Sequence, residues 1–235
     1  MSTPAPNRPL DLSELGRPPY KDILEKLEAL TARESRSYLH PSKRWEYPWA
    51  LERAALAPGS RVLDAGCGAS IFPIYLAKHG HEVTGLDLRV PYGLDAEHGV
   101  QVEYVEGNLT ELPFPDEYFD AVFCISVIEH LGLDGIPRAL DELRRVTRRN
   151  GLVLLTTDYY EDAGAQLWYE GPGRSFPVEW SVFDEDQLRR YIVEAPGLQV
   201  DGELDLQVDW ETVRPAMRRY HGYPYTAVGV ALIRL

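Results

Sequence analysis

Apolar positions along the chain change their period several times, and each change marks an element. Over residues 20–39, Ile23, Leu27 and Leu30 recur at helical spacing with Leu24 beside them, and Asp22 and Lys26 stand four apart on one face. A second helix is expected over residues 47–56, with Pro48 in its first turn and Pro58-Gly59 stopping it. Short apolar runs then alternate with helical stretches. Strands are expected at 61–65, 82–88, 100–106, 120–125 and 152–157, the fourth nearly all apolar, as a strand buried on both faces should be. Helices are expected at 70–78, with Pro73 in its first turn and Gly80 beyond its end, and at 136–148, with Pro137 at its start and Asn150-Gly151 after it. Asp184 and Gln187 resemble a capping box for a helix running through Ile192. Two last strands, 198–206 and 226–235, are expected to pair antiparallel. Residues 1–19, rich in proline and polar side chains, read as a loose arm.

Strands alternating with helices imply right-handed crossovers and a mainly parallel sheet. The expected fold class is α/β: a Rossmann-like sheet of seven strands, mainly parallel with an antiparallel last strand, helices on both faces, and an N-terminal helical cap. The expected division is residues 1–44 as arm and cap helix and 45–235 as the main domain. In such sheets ligands bind beyond the carboxyl ends of the strands, where strand order reverses, so chemistry is sought just after each strand.

Composition narrows the function. The net charge of −13 disfavours a duplex-binding surface, which needs a basic patch, and suits a small neutral or cationic substrate better. Arg144, Arg145, Arg148 and Arg149 cluster on an expected helix and read as a solvated face near its C-terminus. No apolar run is long enough to span a bilayer, no secretory pattern follows Met1, and two cysteines make no disulfide framework or zinc spacing. The cytoplasm is the default location, with neither membrane nor nucleic acid as partner; oligomeric state is not legible.

The first strand ends in Asp64-Ala65-Gly66-Cys67-Gly68, and a helix follows. Two glycines there allow close main-chain approach by a ligand, and the N–H groups beyond them can receive an acceptor group. Asp87 closes the second strand 21 residues after Gly66, where a carboxylate can accept from both ribose hydroxyls of an adenosine ligand. Together with Gly107-Asn108-Leu109 and Leu112-Pro113-Phe114-Pro115-Asp116 before Phe119-Asp120, these motifs resemble the class I S-adenosylmethionine-dependent methyltransferase family. The likeness is to the branch with ubiquinone- and menaquinone-biosynthesis and other small-molecule enzymes.

The resemblance implies S-adenosyl-L-methionine as cofactor and in-line methyl transfer to a small-molecule acceptor. It implies that Asp64, Gly66, Cys67 and Gly68 surround the methionine portion. Asp87 would hold the ribose, with Leu88 against the adenine, and Asn108 and Leu109 would read the adenine edge. Ile125 and Ser126 would line the sulfonium and amino end. Asn108 stands where the family often has Asp, and Ser70 where many members have a third glycine. His130 is the candidate general base, with Glu129 orienting it. Ile125-Ser126-Val127-Ile128 lacks the Asn/Asp-Pro-Pro-aromatic run that resembles base and amide N-methylases. Aromatics crowd the connection after the fifth strand, among them Tyr159, Tyr160, Trp168, Tyr169, Phe176 and Trp180. With Trp45, Tyr47 and Trp49 from the N-terminal segment, and His221, Tyr223 and Tyr225 before the last strand, they form a candidate acceptor wall; each reads equally well as core. The residues expected on the acceptor side are Trp45, Tyr47, Tyr159, Trp168 and Tyr223. Cys67 and Cys124 read as packing. Two alternatives stay open: a nicotinamide-dependent oxidoreductase, against which Ile71 stands where a third glycine is required, and a non-catalytic binding protein of the same fold.

Overall fold

The computed structural model describes residues 5–31, 39–161, 166–169, 178–213 and 225–235, with no account of the side chains of 166–169 and 178–179. In chain order its strands are β1 (Arg8–Pro9), β2 (Arg61–Ala65), β3 (Glu82–Asp87), β4 (Glu103–Glu106), β5 (Phe119–Ile125), β6 (Thr147–Tyr159), β7 (Gln166–Tyr169), β8 (Val178–Ser181), β9 (Leu198–Val200) and β10 (Thr226–Arg234). Its α-helices are α1 (Pro18–Thr31), α2 (Lys43–Ala54), α3 (Phe72–Lys78), α4 (Leu94–Glu97), α5 (Gly132–Val146) and α6 (Glu185–Leu188).

The main sheet runs β1-β10-β6-β5-β2-β3-β4, with β9 also on β10. Pairings from β4 through β3, β2 and β5 to β6 are parallel. The contacts of β10 with β6, β9 and β1 are antiparallel. All seven expected strands are present, and the eighth comes from the segment expected to be loose: Arg8 and Pro9 pair with Gly229 and Val228. Asn7 secures that edge. Its amide donates to the carbonyls of Asp201 and Glu203, and its Oδ1 accepts from Ala231 N–H. The sheet thus gains a strand because one buried asparagine satisfies backbone groups that an edge would leave open.

Side chains alternate between two layers as the strand pleat requires. Val62, Val83, Ala121, Phe123, Leu154 and Ala231 face the layer of α1, α2 and α3. Leu63, Leu86, Val122, Cys124, Leu155 and Val230 face α5, Leu188 and Ile192. The buried stripe Ile136, Ala139, Leu140, Leu143 and Val146 holds α5 to the sheet. That helix begins one turn before its periodicity is visible, because Gly132 and Gly135 carry no apolar signal although both are buried.

Several expectations shift: the strand expected over 198–206 is Leu198–Val200, and the helix expected to 148 ends at Val146, which puts Arg148 and Arg149 in β6. The first helix ends at Thr31, Leu39 is not helical, and 32–38 lie outside the described residues. The second starts at Lys43, which leaves Pro48 inside it. It is covered on nearly every side, Trp45, Glu46, Tyr47, Pro48, Trp49 and Ala50 all being buried, so it shows no one-sided period. The helix capped by Asp184 and Gln187 forms with both capping-box bonds but passes into a π-helical turn, Arg189–Val193.

Candidate functional site

The chain leaves β2 for β3 and β4 on one side and reaches β5 and β6 on the other, so strand order reverses between β2 and β5. The glycine turn lies at this switch point. Gly66 N and Cys67 N both donate to Leu86 O, at 2.7 and 3.0 Å, which stitches the turn to β3. Gly66 has φ +86°, and a Cβ there would lie 2.4 Å from a methyl of Val127. Its requirement for glycine is therefore set by the loop after β5. Gly68, at φ +50°, has nothing within 4 Å of where a Cβ would be, so its face is open. Gly68 N donates to Asp87 Oδ2 at 2.9 Å, and Arg89 N approaches Oδ1 at 3.3 Å. These bonds orient the carboxylate and leave lone pairs for a ligand. The next side chain, Leu88, is 69 % exposed, an apolar surface beside an aimed acid.

Asn108 is exposed, and its Oδ1 already accepts from Thr110 N and Thr110 Oγ1, both at 3.0 Å. It shapes an Asx turn, so adenine recognition by that oxygen alone is not favoured here. Leu109 is buried in the α5-side core.

Behind the turn lies a set of buried acids. Burial first, and Asp87 beside it, push the Asp64 carboxyl up to about 7 against the pull of Lys43. Glu46, on α2, is fully buried. Its Oε1 accepts from Ser126 Oγ at 2.5 Å and Thr156 Oγ1 at 2.7 Å, and its Oε2 from Lys43 Nζ at 2.9 Å. Burial alone would raise this carboxyl; the Lys43 charge and these bonds hold it below its ordinary value. Glu129 is buried next to Thr157 Oγ1, at 3.3 Å, and burial raises it to about 8. Asp158 accepts from Trp180 Nε1 at 2.6 Å and is raised by burial and by Glu129. Thr156, Thr157 and Asp158, consecutive at the end of β6, thus meet Glu46, Glu129 and Trp180 in turn. Cys67 and Cys124 are both buried, and burial raises both thiols, which keeps them protonated as packing residues.

Glu129 and His130 share the 3-10 turn Ile128–His130, yet Glu129 is turned in and His130 is exposed. Glu129 faces Thr157 while His130 faces outward, and the His130 charge is among the influences that lower the Asp158 carboxyl. Trp45 is corrected. Its indole is fully buried, donates to Glu14 Oε2 at 2.7 Å and stacks on Trp49, which makes it core of the N-terminal layer. Tyr47 stacks on Phe72, with ring centroids 4.5 Å apart, and is 5 % exposed, so it backs the start of α3 behind the glycine turn rather than an acceptor mouth. Tyr159 is 2 % exposed on the α5 side, beside Phe183, and is also corrected to core. Trp180 and Tyr225 meet edge to face beside Asp158, 5.1 Å between centroids. Trp168 lies in β7 with its side chain undescribed; Phe176, His221 and Tyr223 lie outside the described residues.

Sequence reasoning missed Lys43, Glu46, Thr156 and Asp158. A charged residue between two aromatics in Trp45-Glu46-Tyr47, and three polar residues closing an apolar strand, were the available signals. The arginine cluster is neutralised residue by residue: Arg144 by Asp141, Arg145 by Asp116 and Glu142, Arg148 by Asp120, Arg149 by Glu117. A cleft of about 320 Å³ lined by Arg61, His81, Glu82, Thr84 and Glu103 lies at the opposite, amino ends of the strands, away from the switch point.

Residues 63–155 match the family described as "Methyltransferase domain". The chain is 38% identical over 102 residues to a malonyl-[acyl-carrier protein] O-methyltransferase of Serratia marcescens, across 43% of this chain and 39% of that protein. It is 34% identical over 135 residues to a ubiquinone biosynthesis O-methyltransferase of Hahella chejuensis, across 55% and 54%. The matched stretches span about two fifths to one half of these relatives. Among solved structures, the [4+2]-cyclase SpnF superposes with TM-score 0.65 at 18% identity, over 91% of this chain and 93% of that one. The Burkholderia thailandensis 1,6-didemethyltoxoflavin-N1-methyltransferase, solved with 1,6-didemethyltoxoflavin and S-adenosylhomocysteine, does so with TM-score 0.62 at 20% identity, over 96% and 93%. At those identities the superpositions establish the fold.

Proposed function

Because residues 63–155 match a methyltransferase domain, we propose that the chain is a class I enzyme of that kind and transfers a methyl group from S-adenosylmethionine to a small-molecule acceptor by in-line displacement. A fold shared with a cyclase does not fix a reaction; the site supports this one. The observation that carries the reading is the bond from Gly68 N to Asp87 Oδ2, at 2.9 Å. It joins an open glycine turn to an oriented carboxylate, the two features an adenosyl sulfonium ligand needs side by side.

Asp87 takes the ribose hydroxyls and Leu88 lies against the adenine. The main chain of Asn108 and Leu109 borders the ring. Asp64, Gly66, Cys67 and Gly68 surround the methionine portion, and the Asp64 carboxylate faces its positive end. Ile125 and Ser126 close the side next to the methyl group. The cofactor supplies an electrophilic methyl; its bond to sulfur breaks as the acceptor's lone pair forms the new bond, and sulfur keeps the electron pair. The protein's work is alignment. His130, at the exposed rim with Asp158 beside it, takes the proton of an acceptor that carries one.

Titration calorimetry with S-adenosylhomocysteine tests the reading. Wild type binds, and Asp87→Ala weakens binding at least about tenfold, since a ribose losing both acceptors forfeits more than 1.4 kcal/mol. No heat of binding from wild type, or thermal stabilisation by NADH and none by S-adenosylhomocysteine, reverses the assignment in favour of the oxidoreductase alternative.

A further inference from the structure

We propose that Glu46 is a positioning residue: it reaches from α2 to hold the corner at Ser126, so that docking of the N-terminal helix and completion of the cofactor site are one event. The proposal rests on the methyltransferase reading of the site.

Ser126 is a corner under constraint. It has φ +54°, a left-handed conformation that a non-glycine residue adopts only when its surroundings hold it there. Its N–H donates to Thr156 O and approaches Thr156 Oγ1, both at 3.0 Å. Its own hydroxyl and that of Thr156 then converge on one oxygen, Glu46 Oε1. The carboxylate therefore ties the ends of β5 and β6 together from outside the sheet. Its second oxygen is held by Lys43, one helical turn earlier on the same helix.

The corner carries its neighbour. Val127 follows Ser126, and its methyls occupy the space where a Gly66 side chain would begin. A rotation at Ser126 moves Val127 off Gly66 and so releases the turn that Gly66 and Cys67 make with Leu86 O. The line of contact is Glu46, Ser126, Val127, Gly66, each touching the next. Placing an ionised carboxylate in a fully buried position is costly unless every lone pair it uses is matched. A packed apolar residue in α2 would serve a purely structural role as well. What an apolar residue cannot do is orient two hydroxyls across two strand ends.

The test is a coupling measurement on the full chain, with S-adenosylhomocysteine as probe and calorimetry as readout. Glu46→Gln keeps the volume but presents an amide to Lys43. It is expected to weaken binding about tenfold, as is Ser126→Ala, and the double variant is expected to be no weaker than the weaker single. A Glu46 that only supports α2 would lower the melting temperature while leaving the dissociation constant unchanged, or give losses that add; either of these overturns the proposal. Should Glu46→Gln not fold, Thr156→Val removes the hydroxyl that joins Glu46 to the corner. About threefold or greater weakening supports the proposal, and unchanged binding overturns it. Wild type that fails to bind the probe brings down the methyltransferase reading and this proposal with it. Wild type that binds while the variants bind equally well brings down this proposal alone.

Discussion

At the scale of single residues, neighbours in sequence have separate work when the backbone turns between them. Glu129 and His130 are adjacent, yet one is sealed against Thr157 and the other stands at the rim near Asp158. His130→Ala is therefore expected to lower turnover of S-adenosylmethionine by about tenfold or more, within the range of a general base, and to leave S-adenosylhomocysteine affinity within about twofold, a change below 0.5 kcal/mol. Parallel kinetics and calorimetry check this; equal losses in both would make His130 a binding residue. The meeting of the Asp64 to Gly68 turn with Asp87 was legible because these residues sit in contiguous motifs at the ends of β2 and β3. The aromatic acceptor positions were not. Trp45 and Tyr159 have composition suited to a binding wall, but composition does not say which way a ring points, and both point into core.

At the scale of elements, α2 is where periodicity was least informative and where half of the unforeseen site, Lys43 and Glu46, resides. A helix with one solvent face advertises its buried stripe; one enclosed by α1, the 3-10 turn Leu12–Gly16 and the sheet does not. Its fit is close. The Trp49 indole lies over Gly229 of β10, where an added Cβ would come within 2.6 Å of the ring. Gly229→Ala is expected to cost about 1–3 kcal/mol by overpacking, read as a lower midpoint in urea. Since α2 also carries Glu46, it is expected to weaken S-adenosylhomocysteine binding as well. An unchanged midpoint would show that α2 yields freely and is not rigidly seated. The existence of β2, β3, β5 and β6, by contrast, follows from their short apolar runs, while which side chain faces which layer is set by the pleat and the packing.

At the scale of the whole molecule, raised carboxyls outweigh ordinary expectations about pH. Asp64 near 7, Glu129 near 8 and Asp158 well above its usual value all bind protons more readily folded than unfolded. Between about pH 4 and 8 the unfolded chain therefore carries fewer protons at these sites, and the stability they contribute falls as pH rises. The lowered carboxyls of Glu46, Glu52 and Glu142 act in the opposite sense, but their contribution is lost only as pH falls below the ordinary carboxylate range. The ligand-free protein is expected to melt at a lower temperature at pH 8 than at pH 6, and Glu129→Gln to flatten the dependence. A melting temperature that climbs across that interval would contradict the burial of these acids.

The clamp made by Asn7 has a temporal side. Its partner Ala231 is 224 residues away along the chain, and α2 rests on β6 and β10. Contacts of such separation form late, after more local structure has condensed. During synthesis β5 and β6, which carry Glu46's partners Ser126 and Thr156, emerge before β10, so the seat of α2 is completed only when β10 supplies the rest of its floor. Firm seating of α2 in a nascent chain would thus report on the arrival of β10, not on collapse of the parallel strands.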